Sequence, residues 1–236
     1  MNVQALVATM NQTDYSIVDK MNLQTNAIVI NQCDQYAFDS FDYNGIQIQF
    51  YSFSERGIGL SRNNALMRAN ADIVLFSDDD IVYYDGYEKQ IVEAFEKYPD
   101  ADIIAFNLNF IGSKQPRKSI DKPYRVHFYN WGKFGTARIA VKLDSIRRKN
   151  IFFSLLFGGG AKFSSGEDSI FIYDALCAGL RMYALPITIG DINDSSSTWF
   201  QGYTEKFFFD QGALFGAIYG KLAWLPCVAY AIKYSK

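Results

Sequence analysis

The sequence has few of the residues that build several common kinds of functional site. Its three cysteines, Cys33, Cys177 and Cys227, are widely spaced and form no CxxC or cysteine–histidine pattern. They therefore indicate neither a disulfide framework nor a zinc site, and free thiols are typical of a reducing, cytoplasmic compartment. The only histidine, His127, is more typical of a satisfied, partly buried ring than of a metal ligand.

An excess of positive charge and a long apolar run are missing as well. A formal net charge of −2 over 236 residues offers no broad basic surface, which argues against nucleic-acid binding. The chain opens without the charged and apolar regions of a signal peptide, so export is not expected. No charge-free apolar run reaches the roughly 20 residues that a spanning helix needs.

What the sequence does contain is typical of a globular α/β protein, with 49% hydrophobic and 20% charged residues. β-rich runs at 3–8, 27–30, 46–53 and 72–76 alternate with polar or helical segments. This pattern predicts a mixed, mostly parallel sheet flanked by helices. A helix is expected at 87–98, followed by another buried strand at 101–106.

The apolar run at 72–76 leads into three adjacent carboxylates, Asp78, Asp79 and Asp80. Open α/β sheets bind ligands at the carboxyl ends of their strands, and three like charges at such a point repel one another. One interpretation is a divalent metal that carries a phosphorylated substrate. The other is a solvated acidic turn that caps the next helix.

A glycine-containing turn precedes that strand. Gly57 and Gly59 permit a tight turn, and Ser61 or a neighbour is expected to start a helix whose amino terminus can face an anion. The stretch matches neither the GxGxxG fingerprint nor the phosphate-binding P-loop, which disfavours a Rossmann dehydrogenase or a P-loop ATPase.

The second half is richer in aromatic residues and carries another acidic pair. Strands are expected at 124–129, 138–143 and 182–186. The glycine-broken run at 152–160 is consistent with a mobile lid or with a segment that passes between layers of the fold. Glu167 and Asp168 stand at the start of a helix capped by Ser165 or Gly166. They are either first-turn acids that stabilise the helix or a general base at the mouth of the sheet.

Five motifs in one order resemble the family 2 glycosyltransferases: Thr9-Met-Asn11, Asn31-Gln32, Arg56-Gly-Ile-Gly-Leu-Ser-Arg-Asn63, Asp78 to Asp80, and Gly166-Glu-Asp168. The resemblance implies the GT-A fold, a nucleotide-sugar donor that is expected to be UDP-linked, a divalent metal and inversion at the anomeric carbon. It implies that Thr9 and Asn11 line the nucleotide pocket. Asn31 stands where the family usually has an aspartate that reads uracil, and an amide can still pair with the base.

The same resemblance assigns roles to the charged residues. Arg62 is expected to face the diphosphate or the base, and Asp78 and Asp79 to lie beside the donor. Asp80 is expected to bind Mn²⁺ or Mg²⁺ with Asp78, because hard oxygen ligands suit these ions. Asp168, with Glu167 beside it, is expected to be the catalytic base.

The family's downstream histidine ligand has no counterpart in this sequence. Asp191 or Asp194 is a candidate replacement, with water as the third choice. Trp199 lies in a serine- and threonine-rich stretch that resembles the acceptor-side loop of members that build bacterial surface polysaccharides. It is expected to stack on an acceptor sugar or to fill the core.

On this interpretation, residues 1–110 form the nucleotide-sugar half of one domain, 111–200 the acceptor half, and 201–236 an aromatic tail. The tail is either an amphipathic segment on the cytoplasmic face of a membrane or a helix packed on the domain. A glycan or polyprenyl-linked acceptor is expected as the second substrate. The alternatives are a nucleotidyltransferase and a non-catalytic module that binds a sugar or a nucleotide.

Overall fold

The computed structural model of the protein describes residues 1–112, 119–193 and 202–234. Its strands are β1 (Val3–Met10), β2 (Asn26–Gln32), β3 (Ala37–Tyr43), β4 (Ile46–Phe53), β5 (Ile73–Asp78), β6 (Ile81–Tyr83), β7 (Ile103–Ile111), β8 (Tyr124–Arg125), β9 (Ile139–Lys142) and β10 (Met182–Asn193). Its helices are α1 (Ile17–Lys20), α2 (Ile58–Arg68), α3 (Tyr87–Lys97), α4 (Leu143–Arg148), α5 (Glu167–Cys177), α6 (Glu205–Tyr219) and α7 (Trp224–Tyr234).

The described strands form one sheet in the order β3-β4-β2-β1-β5-β9-β7-β10-β6, with β8 paired to β10. Helices cover both of its faces. Alternate residues of β1 point to opposite sides, so Leu6 packs with α2, α5 and α6, whereas Ala5 and Val7 pack with α1 and α3. The α/β class expected from the sequence is confirmed.

Four neighbouring strands, β4, β2, β1 and β5, run parallel. Their register aligns the polar residues at their carboxyl ends, because Thr9 lies opposite Asn31 and Ala8 lies opposite Asp78. On the next strand Ser52 lies opposite Asn31. The fold therefore collects these side chains along one edge of the sheet, where open α/β sheets bind ligands.

The first half contains two strands that the sequence pattern does not predict, β3 and the three-residue β6. The β3 strand pairs antiparallel with β4 at the edge of the sheet and is largely exposed. Since neither of its faces is buried, its sequence lacks the apolar alternation by which a half-buried strand is recognised. As a result, the acidic run ends the fifth strand of the chain and not the fourth.

Several boundaries also differ from expectation. Gly57 caps α2, and Ser61 lies buried inside that helix instead of starting it. Only Tyr124–Arg125 of the expected 124–129 strand is extended, and the 138–143 segment divides into β9 and the start of α4. The β10 strand continues past Pro186 because a register shift between Ala184 and Thr188 lets the sheet accommodate the proline.

The carboxyl-terminal segment forms α6 and α7, joined by a 3₁₀ turn at Gly220–Leu222. Pro226 lies in the first turn of α7, where a helix tolerates proline because the N–H groups there have no intrahelical acceptor. Among the described residues, no helix is both long enough and apolar enough to cross a membrane.

Two helical glycines allow a test of this packing. A Cβ at Gly59 of α2 would lie 2.4 Å from the backbone oxygen of Ser154, whereas a Cβ at Gly216 of α6 would meet no atom within 4 Å. We expect Gly59→Ala to lower the free energy of unfolding by about 1–3 kcal/mol through overpacking. Gly216→Ala should raise it by about 0.5–1 kcal/mol, because alanine restricts the unfolded chain and favours the helix. Urea denaturation measures both; equal effects would contradict the close approach of α2 to residue 154.

Candidate functional site

The centre of the site is Arg62, a guanidinium buried in α2 with only 2% of its side chain exposed. Its Nη1 donates to Asp168 Oδ1 at 2.6 Å and to Glu167 Oε1 at 3.2 Å, while Nη2 donates to Asp78 Oδ1 at 2.8 Å. The ring of Phe153 lies 5.4 Å from the guanidinium carbon. One cation therefore connects the end of β5 to the start of α5.

Local structure explains why the acidic pair reaches Arg62. Gly166 caps α5 with a φ of 115°, a left-handed conformation that favours glycine. The helix therefore starts at Glu167, and both acids lie in its first turn beside the positive end of the helix dipole. Thr136 Oγ1 also donates to Asp168 Oδ1, so two donors hold that oxygen. Their position at the start of a helix is confirmed, and the general-base interpretation stays a prediction.

The charges of this cluster do not cancel, because one guanidinium faces three carboxylates. Burial and the neighbouring charge of Asp168 raise the pKa of Glu167 to about 7, although Arg62 opposes the shift. Burial alone would lower the pKa of Arg62, but the three carboxylates raise it, so the guanidinium stays charged. Glu167 is consequently the carboxyl that takes up a proton near neutral pH.

The two acids at the start of α5 also differ in accessibility. The side chain of Asp168 is 29% exposed, whereas that of Glu167 is 12% exposed. Asp168 is therefore the more accessible of the two carboxylates.

A second polar group lies at the ends of β1 and β2. Thr9 Oγ1 donates to Asp79 Oδ2 at 2.6 Å and accepts from Gln12 Nε2 at 2.8 Å. The Asn31 amide is fully buried: its Oδ1 accepts from the Gln12 N–H, and its Nδ2 donates to Gln12 O and Ser52 Oγ. In this arrangement Asn31 fixes the turn after β1, and its amide is turned toward the protein instead of toward a base.

Asn11 adopts a φ of 55° and its side chain is exposed at the same edge of the sheet. Beside it, Arg56 Nη1 donates to Cys33 O at 2.7 Å and Nη2 donates to Asp34 Oδ1 at 2.8 Å. Arg56 thus ties together the loops that follow β2 and β4. It is more accessible than Arg62, with a side chain that is 39% exposed.

The amino terminus of α2, where the sequence suggests an anion, is occupied by the protein itself. The Gly57 N–H donates to Gln32 Oε1 at 2.7 Å, and the Ile58 N–H donates to Gly159 O at 2.9 Å. The glycine run near residue 159 therefore packs on this helix end. Two of the N–H groups that an anion would use are already satisfied.

The expected metal ligands are too few to hold an ion alone, so a metal site here would need oxygen atoms of a substrate as further ligands. No group of three or more histidine, cysteine or acidic side chains that could hold a metal occurs within 1–112, 119–193 and 202–234. Asp78, Asp79 and Asp80 supply hard oxygens at the end of β5, although Arg62 holds one oxygen of Asp78 and Thr9 holds one of Asp79. Mg²⁺ commonly binds one or two carboxylates together with phosphate oxygens, so this partial set is compatible with it.

Of the two candidate replacements for a histidine ligand, the structure describes only Asp191, whose strand pairs with β6 directly after Asp80. Asp191 lies on β10, and its Oδ1 accepts from Tyr84 and from Asn109 Nδ2. His127 is exposed and stacks on Tyr129, so the expectation of a partly buried ring is wrong. Asp194 and Trp199 lie outside the described residues, and the structure adds nothing to their assignments.

Three residues that take part in the hydrogen bonds of this site were not identified from the sequence. Thr136 belongs to no motif and reaches Asp168 only through the fold. Gln12 could have been suspected, because it directly follows the polar end of β1. Arg56 lies within the quoted motif, but its exposure beside the loops could not be anticipated from spacing.

Comparisons with known proteins bear on the sequence family and on the fold. The sequence model of the family described as "Glycosyl transferase family 2" matches residues 26–160, more than half of the chain. That match spans Asn31, Arg62 and the Asp78 to Asp80 strand end, and it stops before Glu167. No curated protein matches the sequence.

Solved structures of S. aureus TarS share the fold. TarS 1–349 in complex with UDP-GlcNAc aligns with a TM-score of 0.70 and 15% identity over 99% of this chain and 73% of that chain. The complex of the same fragment with UDP gives a TM-score of 0.68 and 15% identity over 100% and 73%. A longer TarS structure, also at 0.68 and 15%, is covered over 44% of its length by 99% of this chain. The sheet and flanking helices expected for a GT-A fold are thereby confirmed.

The raised pKa of Glu167 makes stability depend on pH in a defined direction. Since the folded-state pKa of about 7 lies above the ordinary 4.5, the contribution of Glu167 is fully present below pH 4.5 and is lost as pH rises through 7. The difference in unfolding free energy between the native protein and Glu167→Gln should therefore decrease across this interval. Urea denaturation at several pH values measures it, with the exposed Glu93→Gln as control. A difference independent of pH would contradict the buried, protonated state of Glu167.

Proposed function

Because the chain belongs to glycosyl transferase family 2, we propose that it is an inverting, metal-dependent transferase that moves a sugar from a UDP-linked donor to a glycan or lipid-linked acceptor in bacterial polysaccharide synthesis. One observation carries the proposal. Arg62 brings the acidic end of β5 and the acidic start of α5 to a single guanidinium, although they are separated in sequence. Membership of this family sets aside the alternatives of a nucleotidyltransferase and a non-catalytic module.

Asp168 is the proposed base. Inversion in one displacement requires a carboxylate that takes the proton of the acceptor hydroxyl on the side opposite the leaving diphosphate. Asp168 is accessible, and Arg62 and Thr136 both hold its Oδ1. Oδ2 remains the oxygen directed away from these donors, so it is the atom assigned to the proton.

The donor is proposed to lie along the polar carboxyl ends of β1, β2 and β5. Thr9 and Asn11 border this edge, with Asp79 held in place by Thr9. Arg62 and Asn31 contribute from behind, because both side chains are buried among protein partners. The TarS fragment of the same fold was solved with UDP-GlcNAc and with UDP, which supports a uridine nucleotide.

Mn²⁺ or Mg²⁺ is proposed to bind at Asp80, with Asp78 adjacent and diphosphate oxygens completing the ligands. A bound ion would supply positive charge beside the leaving nucleoside diphosphate. The chain's own contribution is to hold the strand end in position, since Arg62 fixes Asp78 and Thr9 fixes Asp79.

The tail is proposed to contact the cytoplasmic face of a membrane that carries the acceptor. Large apolar side chains of α7 and the preceding turn are exposed, namely Leu222, Trp224, Leu225, Val228 and Ile232. The opposite face of α7 packs on α6, for example through Tyr230 against Phe215. Lys221 and Lys233 are exposed in the same segment, and residues 211–236 include no acidic residue. Apolar area combined with positive charge suits an anionic lipid surface.

The catalytic assignment is tested by Asp168→Asn. Loss of the base should lower kcat by about 10²–10⁴-fold, while the Kd for the UDP-sugar measured by calorimetry stays unchanged. Asp144→Asn is the matched control, because Asp144 is also a first-turn acid but is exposed and far from the site in sequence. Undiminished transfer by Asp168→Asn would refute the assignment.

The metal assignment has its own measurement. With Mn²⁺ present, one UDP-sugar should raise the melting temperature of the native protein, and Asp80→Asn should remove the metal-dependent part of that rise. Stabilisation by nucleotide that is identical with and without Mn²⁺ would argue against a metal-assisted donor site.

The membrane assignment predicts binding to anionic vesicles that weakens as salt is raised. Trp224→Ala together with Leu225→Ala should reduce the bound fraction in a sedimentation assay severalfold, because both side chains lie on the exposed apolar surface. Tyr36→Ala serves as control, since Tyr36 is exposed on a different part of the molecule. Equal vesicle binding by both variants would contradict the proposal.

A further inference from the structure

Asp210 of α6 is a buried carboxylate that the proposed chemistry does not use. It is as inaccessible as Arg62, with 2% of the residue exposed. Its Oδ2 accepts from the Ser164 N–H at 2.9 Å, from Ser164 Oγ at 2.6 Å and from Lys206 Nζ at 2.7 Å. Oδ1 is also buried and has no hydrogen-bond partner among the described residues. Burial raises the pKa of Asp210, but the bonds from Lys206 and Ser164 lower it below its usual value, so the carboxylate is ionised.

The bonded serine lies just ahead of the proposed base. Ser164 is followed by Ser165, by the cap Gly166 and then by Glu167 and Asp168. A second contact from α6 reaches the cap itself, since a Cβ at Gly166 would lie 2.7 Å from Leu214 Cδ1. The segment that delivers both acids is therefore held from one side by α6 and from the other by Arg62.

The contact between Asp210 and Ser164 is made by a charged side chain, and this has a physical consequence. A buried carboxylate is costly to desolvate, and an apolar side chain at this position could pack α6 with less cost. The carboxylate provides directional hydrogen bonds that an apolar side chain lacks. It accepts from both the N–H and the Oγ of Ser164 and so fixes the backbone and the side chain of that residue. Small displacements of a catalytic group cost large factors in rate, so directional support three residues before Glu167 has a use in catalysis.

We propose that Asp210 is a positioning residue for glycosyl transfer, which holds the Ser164–Gly166 segment so that Asp168 stays aligned with the acceptor hydroxyl. The carboxyl-terminal helices thereby become part of the catalytic apparatus and not only a surface element. This inference rests on the proposed role of Asp168 as the base.

The test compares Asp210→Ala with Lys206→Ala in the full chain. Lys206 contacts the same carboxylate oxygen but is itself exposed, and its loss leaves both Ser164 bonds intact. We expect Asp210→Ala to lower kcat at least tenfold with the KM for the UDP-sugar unchanged, and Lys206→Ala to change kcat less than twofold. Asp210→Asn, which retains one acceptor oxygen, should recover part of the lost rate.

Two further readouts separate positioning from simple loss of folded protein. Calorimetry with the UDP-sugar should still give one binding site per chain in Asp210→Ala, because the proposed donor site lies at the ends of β1, β2 and β5, whereas Asp210 lies on α6. The carboxyl pKa of Glu167, followed by NMR, should fall from about 7 as the loosened segment exposes it. A wild-type kcat in Asp210→Ala, or a number of binding sites that falls in proportion to kcat, would overturn the inference. If Asp168→Asn were fully active, the proposed function would fail instead.

Discussion

The structure depends on one buried cation. Arg62 has three carboxylate partners, and removing a guanidinium from such a cluster would leave several negative charges in a poorly solvated space. The cost of burying Arg62, which lies on α2, is offset only if β5 and α5 both deliver their acids to it. The same requirement that holds these three elements together also assembles the proposed catalytic residues, so the fold and the proposed chemistry share a single electrostatic constraint.

That constraint also makes the carboxylates of the cluster differ in protonation and exposure. An excess of negative charge favours protonation of one member of the cluster, and burial selects Glu167 over the more exposed Asp168. In the proposed mechanism, Glu167 adjusts the charge around Asp168, while Arg62 and Thr136 hold the orientation of the Asp168 carboxylate.

The sequence predicted what depends on local pattern. Buried strands were recognisable because apolar runs ended in polar residues, and Glu167 and Asp168 were placed correctly at a helix start because Gly166 can adopt the required positive φ. It could not predict which partner each polar group finds. Arg62 is expected to face the donor, and its partners in the structure are Asp78, Glu167 and Asp168. Asn31 is expected to pair with the base, and its partners are Gln12 and Ser52. Such pairings link residues distant in sequence and are set by tertiary packing.

The tail shows the same limit from the other direction. Its composition alone is compatible with either a helix packed on the domain or a surface for a membrane. In the structure α6 contributes buried Asp210 and Leu214 to the segment before Glu167, whereas α7 exposes most of its large apolar side chains. Because α7 packs on α6, a force applied where α7 meets a lipid surface would reach the acidic pair through one helix. A tail with both roles would couple the arrival of a membrane-borne acceptor to the alignment of the base.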